Sequence, residues 1–183
     1  MSKLKDYSGP YQANLKLDDF SKEALVRLVR FYSRLYQALD GFWYLAVKEN
    51  INNEQALTCD MWVWEKLIKY QVKHLTEEMN IQGGDVTALM KIFQVDPWFW
   101  YFGYEIKLID KNHGLFTVNQ CPTLEALEKE GGERIKEICG IVDPMVFRQY
   151  AKSINPDMQV KILKLPPRQS HEELCCQWEF ILE

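Results

Sequence analysis

Three cysteines of the carboxy-terminal half stand where predicted secondary-structure elements begin or end. Cys121 separates a strand-like run from a helical one, Cys139 precedes Gly140 where a short helix is expected to stop, and Cys176 opens an alternating strand. Thiolates that converge in space bind zinc or, less readily, iron. Since no Cys-x-x-Cys pair forms half a site locally, such a site depends on tertiary folding. The alternative is that the three thiols are buried as small apolar residues.

The residues before Cys176 supply two further candidate metal ligands. Alternation from Leu174 to Leu182 places Cys176 on the inward, apolar face of a strand and Cys175 on the outward face. His171 lies in the loop that leads to this strand, where an imidazole could complete a metal site or carry a proton. Cys175 is the other candidate for the additional metal ligand.

Aromatic and titratable residues predict a pocket. Trp43 lies within the run Phe42-Trp43-Tyr44, and Trp98 opens a second aromatic run that ends at residue 102. Rings of this kind line pockets for flat or apolar ligands, although they also form ordinary cores. Asp40 lies two residues before the first run. His74 has glutamates three and four residues further on, a spacing that suits either an acid–base pair or a simple ion pair on a helix.

Composition excludes several classes of function. The 183 residues carry a net charge of -4 without a dense Lys/Arg stripe, so we expect neither a nucleic-acid partner nor a membrane partner. No segment reaches the roughly 20 apolar residues of a membrane span, and the amino terminus lacks the apolar core of a signal peptide. These two absences predict a cytoplasmic protein. Thiols are kept reduced in that compartment, so an odd number of cysteines, five, argues against a disulfide framework. Phosphate-binding loops and the common serine or zincin motifs are missing, so no catalytic residue is assigned.

The amino-terminal half, residues 1–95, is predicted to be mainly helical. Apolar residues recur at steps of three and four from about residue 18 to Leu39, Asp40-Gly41 is expected to interrupt this helix, and residues 42–47 resume it. A second helix runs from Asn52 or Asn53 to about Met79. More than half of its circumference is apolar or aromatic, which predicts cover on two sides and favours a homodimer. A third helix spans Val86 to Val95.

The carboxy-terminal half, residues 96–183, is predicted to form an antiparallel sheet with inserted helices. Alternating residues at 104–108 and 115–120 indicate a hairpin. Residues 123–154 are expected to be helical with breaks at Gly131-Gly132, Gly140 and Asp143-Pro144, and two more strands follow at 158–162 and 174–182. The fold class is therefore α+β, a single domain over 1–183 whose second half has the order β-β-α-α-β-β, with helices on one face of about four strands.

Short motifs around the cysteines resemble the L-2-amino-thiazoline-4-carboxylic acid hydrolase-like family and its cytosolic relatives. They are Asn119-Gln120-Cys121-Pro122, Ile138-Cys139-Gly140 and Cys176-Gln177-Trp178-Glu179-Phe180, with Asp40-Gly41-Phe42-Trp43 upstream. More distantly, the carboxy half is similar to the four-vinyl-reductase ligand-binding domain. The resemblance implies an α+β fold in which the three cysteines approach one pocket. Relatives often carry a further cysteine where this chain has Leu165, so a three-thiolate site would be completed by His171, Cys175 or water.

Three functional hypotheses follow from these residues. The first is a cytoplasmic protein that binds a metal or a small ligand in a cysteine-lined pocket. The second is a hydrolase of a small cyclic C–N or C–S substrate, such as an amino-thiazoline carboxylate, which needs an activated water or thiolate. The third is a dimeric scaffold that acts through its surface.

Overall fold

A computed structural model describes residues 3–183 and confirms the α+β class, with a helical amino-terminal half followed by a four-stranded antiparallel sheet. Between residues 3 and 183, none of the helices combines the length and the apolar character needed to cross a bilayer. Two short 3-10 turns are also present: Leu17–Asp19 precedes the first long helix, and Phe99–Tyr101 precedes the first strand.

Six α-helices carry most of the described chain, and several begin at the residues that the sequence indicates. The side chains of Asn52 and Asp85 accept hydrogen bonds from backbone N–H groups in the first turns of the second and third helices. The helices are α1 (Lys22–Asn50), α2 (Asn53–Glu78), α3 (Val86–Val95), α4 (Pro122–Glu130), α5 (Gly132–Glu137) and α6 (Asp143–Ile154).

Helix α1 is continuous through Asp40-Gly41, so the predicted interruption there is wrong. A glycine inside a helix costs only about 1 kcal/mol relative to alanine, and tertiary contacts offset that cost. Two such contacts hold this part of α1: the Ser33 hydroxyl donates to the Pro97 carbonyl at 2.5 Å, and the Gln37 amide donates to the Trp98 carbonyl at 2.6 Å.

The segment after α5 also stays helical where the sequence predicts breaks. Gly140 and Asp143-Pro144 do not end it, because a π-helical turn, Ile138–Val142, joins α5 to α6. Proline is tolerated at this junction since it lies in the first turn of α6, where backbone N–H groups need no helical partner. The predicted break at Gly131 is confirmed, and its φ of 114° is one that glycine adopts readily.

The sheet has strand order β1-β2-β4-β3, and every neighbouring pair is antiparallel. One face is apolar and buried by helices, as predicted, and it carries Phe116, Val118, Trp178 and Phe180. The opposite face is polar; there the Gln177 amide donates to the Thr117 hydroxyl at 2.9 Å. The strands are β1 (Gly103–Asp110), β2 (His113–Gln120), β3 (Gln159–Lys164) and β4 (Cys176–Ile181).

Helix α2 lies at the centre of the helical layer. It packs against both α1 and α6, and Trp64, Ile68 and Val72 are buried there. The broad apolar surface of α2 is therefore covered largely within the chain, so it does not by itself require a second subunit.

Candidate functional site

A cavity of about 430 Å³ lies where α1, α2, α4 and α6 meet the ends of β2 and β4. Its walls are mainly aromatic and aliphatic, and Trp98 meets Trp64 edge to face with ring centroids 4.7 Å apart. Rings packed in this way form rigid walls. The apolar lining includes Trp64, Trp98, Phe99, Phe102, Val118, Leu127, Ile138, Val142, Val146 and Phe147.

Cys121, Cys139 and Cys176 all lie in the lining of this cavity. Each comes from a different element. Cys121 caps α4, and its Sγ accepts a hydrogen bond from the Leu124 backbone N–H at 3.3 Å. Cys139 lies in the π-helical turn, and Cys176 is the first residue of β4. Residues 18 to 55 positions apart in sequence are thus placed around one space by the tertiary structure.

These thiols are held in the protonated state at neutral pH. Burial raises the pKa of Cys121 to about 12, and burial together with the nearby Asp143 carboxyl raises the pKa of Cys139 and of Cys176 well above the usual thiol range. Within residues 3–183, no group of three or more His, Cys, Asp or Glu side chains is arranged to hold a metal ion. The arrangement therefore presents weak thiol donors to the cavity and not a set of thiolates.

Three aspartates line the same cavity. Burial raises the pKa of Asp40 to about 7, and the charge of Asp60 adds to this effect. Burial raises the pKa of Asp60 to about 6, although the charge of Arg134 and the indole N–H of Trp64 oppose the shift. Burial also raises the pKa of Asp143 to about 7, against the opposing contribution of the Cys139 thiol. All three carboxyls can therefore change protonation state near neutral pH.

Asp60 and Asp143 are absent from the sequence-based candidates. Asp60 lies four residues before Trp64 on the inward face of α2, so an acidic residue within an apolar stripe is the signal that could have found it. Asp143 lies inside an apolar run, where its position before a proline indicates only a helix break. Because the π-helical turn keeps the segment helical, Asp143 follows Cys139 by four residues and both line the cavity.

Arg134 lines one side of the cavity, where its Nε and Nη1 nitrogens are engaged by neighbouring side chains. Its guanidinium lies 4.0 Å from the centroid of the Tyr44 ring, and Nη1 donates to the Tyr44 hydroxyl at 2.7 Å. The same nitrogen lies 3.1 Å from Glu137 Oε2, and Nε lies 3.2 Å from Glu130 Oε2. Arg134 thus ties α5 to α1 through the contacts of these two nitrogens.

Cys175 lies outside the cavity that Cys176 lines, and it is buried. The residue lies directly before β4 and is buried because the loop that carries Arg168 covers it. Its Sγ lies 3.4 Å from the Asn119 carbonyl and 3.7 Å from Arg168 Nη1.

Of the other predicted residues, Asp40 and Trp98 line the cavity and three do not. The His171 side chain is 84% exposed and lies beside Glu128, with Nδ1 3.8 Å from Oε2. Trp43 is 62% exposed on α1. His74 lies near the end of α2, and its Nδ1 is 3.4 Å from Glu77 Oε2. This contact corresponds to the simple ion pair on a helix that the sequence also allowed.

The sequence from 17 to 182 matches a family of unknown function, DUF6125. The chain belongs to this family. The matched segment contains the whole lining of the cavity, from Arg34 to Cys176, so the cavity is part of the DUF6125 domain. No curated protein and no solved structure matches the chain.

Proposed function

We propose that this DUF6125 protein binds a small organic molecule in the cavity between its helical layer and its sheet. The observation that carries the proposal is the cavity itself, which has a volume of about 430 Å³, largely aromatic walls and a small set of polar groups. Ligand sites in proteins are typically clefts of roughly 300–1,000 Å³ with this kind of lining.

The composition of the lining supports a ligand with an apolar body. Burial of each aromatic face against a ligand removes apolar area from water, at about 25 cal/mol per Å². The polar groups that remain, Asp40, Asp60 and Asp143 with the cysteine thiols, would orient the ligand through hydrogen bonds. Water alone in so apolar a space is less favourable than an apolar ligand.

A neutral fluorescent probe tests this proposal. N-phenyl-1-naphthylamine fluoresces more strongly in apolar surroundings, and we expect the purified protein to bind it with saturation near one probe per chain. Val146→Phe adds a ring to the α6 wall of the cavity and is expected to weaken binding at least about tenfold, since it removes volume from the site. Val26→Phe makes the same change at a position on α1 outside the cavity and should leave binding unchanged. Equal probe binding by both variants would contradict the proposal.

A second candidate function is hydrolysis, and the position of Asp143 beside the Cys139 thiol in the lining favours it. A water attacks an sp² carbon of a small cyclic substrate while Asp143 accepts the water proton. The new C–O bond gives a tetrahedral intermediate, in which the ring nitrogen takes this proton from Asp143. The C=O bond then forms as the ring C–N or C–S bond breaks, while Asp143 transfers the hydroxyl proton to the departing nitrogen or sulfur. The test is conversion of 2-amino-thiazoline-4-carboxylate, with release of thiol as the readout for C–S cleavage. Turnover that persists in Asp143→Asn, or no turnover by the wild type, would count against catalysis.

The metal-binding form of the hypothesis has weaker support. The donor set does not fit a metal site, since no three suitable groups in residues 3–183 are arranged to hold one. Zinc and iron at Cys121, Cys139 and Cys176 stay predictions. Elemental analysis of protein purified without chelator tests them, with Cys59→Ser as the control for Cys176→Ser. The cytoplasmic location stays a prediction.

The homodimer also stays a prediction, but its expected interface moves from α2 to α1. Tyr32, Leu35, Leu39 and Phe42 recur at steps of three and four along α1, and all four are exposed, Phe42 at 70%. Trp43 lies beside this stripe and is also exposed. An aromatic side chain buries roughly 150–250 Å² when it is fully covered, so the stripe and Trp43 together present on the order of 600 Å² of apolar surface. Standard interfaces bury about 800 Å² on each partner, so a second copy of α1 would cover a surface of suitable size.

A further inference from the structure

The charged groups around the cavity are unbalanced. Carboxyls outnumber guanidiniums among the described lining residues, and no lysine or histidine contributes. A ligand that enters this space therefore meets an excess of groups that become negative on ionisation. The charged lining residues are four carboxyls and two guanidiniums, namely Asp40, Asp60, Glu130, Asp143, Arg34 and Arg134.

Among the described residues neither guanidinium forms a salt bridge with the aspartates, although the charge of Arg134 lowers the pKa of Asp60. Arg134 is bound to Glu130, to Glu137 and to the Tyr44 hydroxyl, at 3.2, 3.1 and 2.7 Å. Arg34 lies over the Tyr101 ring, 5.7 Å from its centroid. A second cation also satisfies Glu130, because Lys48 Nζ lies 3.5 Å from its carboxyl. The glutamate at the cavity is thus paired, whereas no cation of residues 3–183 forms a salt bridge with the three aspartates.

Asp40 is the least satisfied of these aspartates. Burial and the charge of Asp60 both raise its pKa, and no hydrogen bond from the described residues offsets them. Buried carboxylates are ordinarily paired or hydrogen-bonded. A positive group placed near Asp40 and Asp60 would supply the missing partner.

The neighbouring walls suit the same kind of group. Tyr44, Trp64 and Trp98 line the cavity together with the two aspartates. Aromatic faces attract cations, most strongly where water is excluded, and they also bind apolar chains. Acidic and aromatic groups in one lining favour a ligand that combines a positive charge with an apolar body.

We propose that the ligand of this cavity is a lipophilic amine whose ammonium group binds Asp40 and Asp60 while its apolar part lies against the tryptophans. The proposal rests on the proposed function, small-molecule binding in the same cavity, and it specifies the chemical class of the ligand. It excludes a free carboxylate as the group at this end of the cavity, since two carboxyls would repel it.

Three compounds of matched shape test the charge preference. These are 4-phenylbutylamine, 4-phenyl-1-butanol and 4-phenylbutanoate, which at pH 8 carry one positive charge, no charge and one negative charge. Each is titrated against the wild-type protein by isothermal calorimetry and by displacement of N-phenyl-1-naphthylamine. We expect the amine to bind at least about tenfold more tightly than the alcohol, and the carboxylate to bind most weakly.

Variants then assign the preference to particular residues. In Asp40→Asn and Asp60→Asn the amine should lose most of its advantage while the affinity for the alcohol is retained. Asp157→Asn changes an exposed aspartate outside the cavity and should leave all three affinities unchanged. Retention of alcohol binding also shows that the variants are folded.

The outcomes separate this inference from the proposed function. Equal binding of amine and alcohol, or a preference for the carboxylate, overturns the inference while small-molecule binding stands. An amine preference that survives both Asp40→Asn and Asp60→Asn overturns the assignment to these residues. If the wild type binds neither the fluorescent probe nor any of the three compounds, the proposed function fails and the inference fails with it.

Discussion

Replacement of Asp40 by asparagine should stabilise the protein at pH 8. The substitution keeps the shape of the side chain but removes a carboxylate that is held in a buried, acidic environment. In the folded protein the pKa of Asp40 is raised from 3.8 to about 7, so ionisation at pH 8 costs more in the folded state than in the unfolded chain. A neutral asparagine amide would carry no such cost.

The size of the effect follows from the pKa difference. Because the folded pKa is raised, the folded state binds the proton more tightly, and stability is lost as pH rises from about 4 to about 7. At about 1.4 kcal/mol per pKa unit, the upper limit of the loss is about 4 kcal/mol. Solvent in the cavity reduces this figure, so we expect Asp40→Asn to gain about 1–4 kcal/mol at pH 8 and clearly less at pH 5.

Urea unfolding at pH 5, 6.5 and 8 measures this difference, followed by circular dichroism. The gain in free energy of unfolding for Asp40→Asn over the wild type should grow with pH and level off above pH 7. Asp157→Asn, on an exposed turn, should show no such growth. A gain that is the same at pH 5 and pH 8, or a loss of stability at pH 8, would refute the reasoning, because either result would mean that Asp40 is not a destabilised acid in the folded protein.

Three further predictions concern the core, the thiols and the surface of α1. Tyr150→Phe should lower the free energy of unfolding by about 1.5–3 kcal/mol, since the Tyr150 hydroxyl donates a hydrogen bond to buried Asp96 at 2.6 Å. The control is Tyr11→Phe at an exposed position, and an equal effect of both substitutions would contradict the role of this bond. Iodoacetamide at pH 7.5 should alkylate Cys121 at least about 100-fold more slowly in the folded protein than in protein unfolded by guanidinium, because the raised pKa of Cys121 leaves little thiolate. Similar alkylation rates would contradict the burial of the thiol. Leu39→Lys should convert a dimer to a monomer in light scattering, and a wild type that is monomeric at high concentration would exclude the α1 interface.

The elements of this fold could be predicted because their signals are local. Alternating residues from 176 to 181 and steps of three and four along α2 report which face is buried, and both patterns hold in the structure. The wrong predictions of helix ends come from residues that usually break helices. Gly41, Gly140 and Pro144 have the propensities of helix breakers, but packing and a π-helical turn keep those segments helical.

The sequence by itself determined the α+β class, the order of the elements and the identity of residues such as Cys121 and Asp40 that carry chemistry. Only the tertiary structure decided that these two residues line one cavity with Asp60 and Asp143, and that His171 lies outside it. The physical reason is that period and propensity act over a few residues, whereas a cavity is enclosed by elements far apart in the chain. The raised pKa of each aspartate arises from that enclosure, since burial acts only after the helices and the sheet have packed.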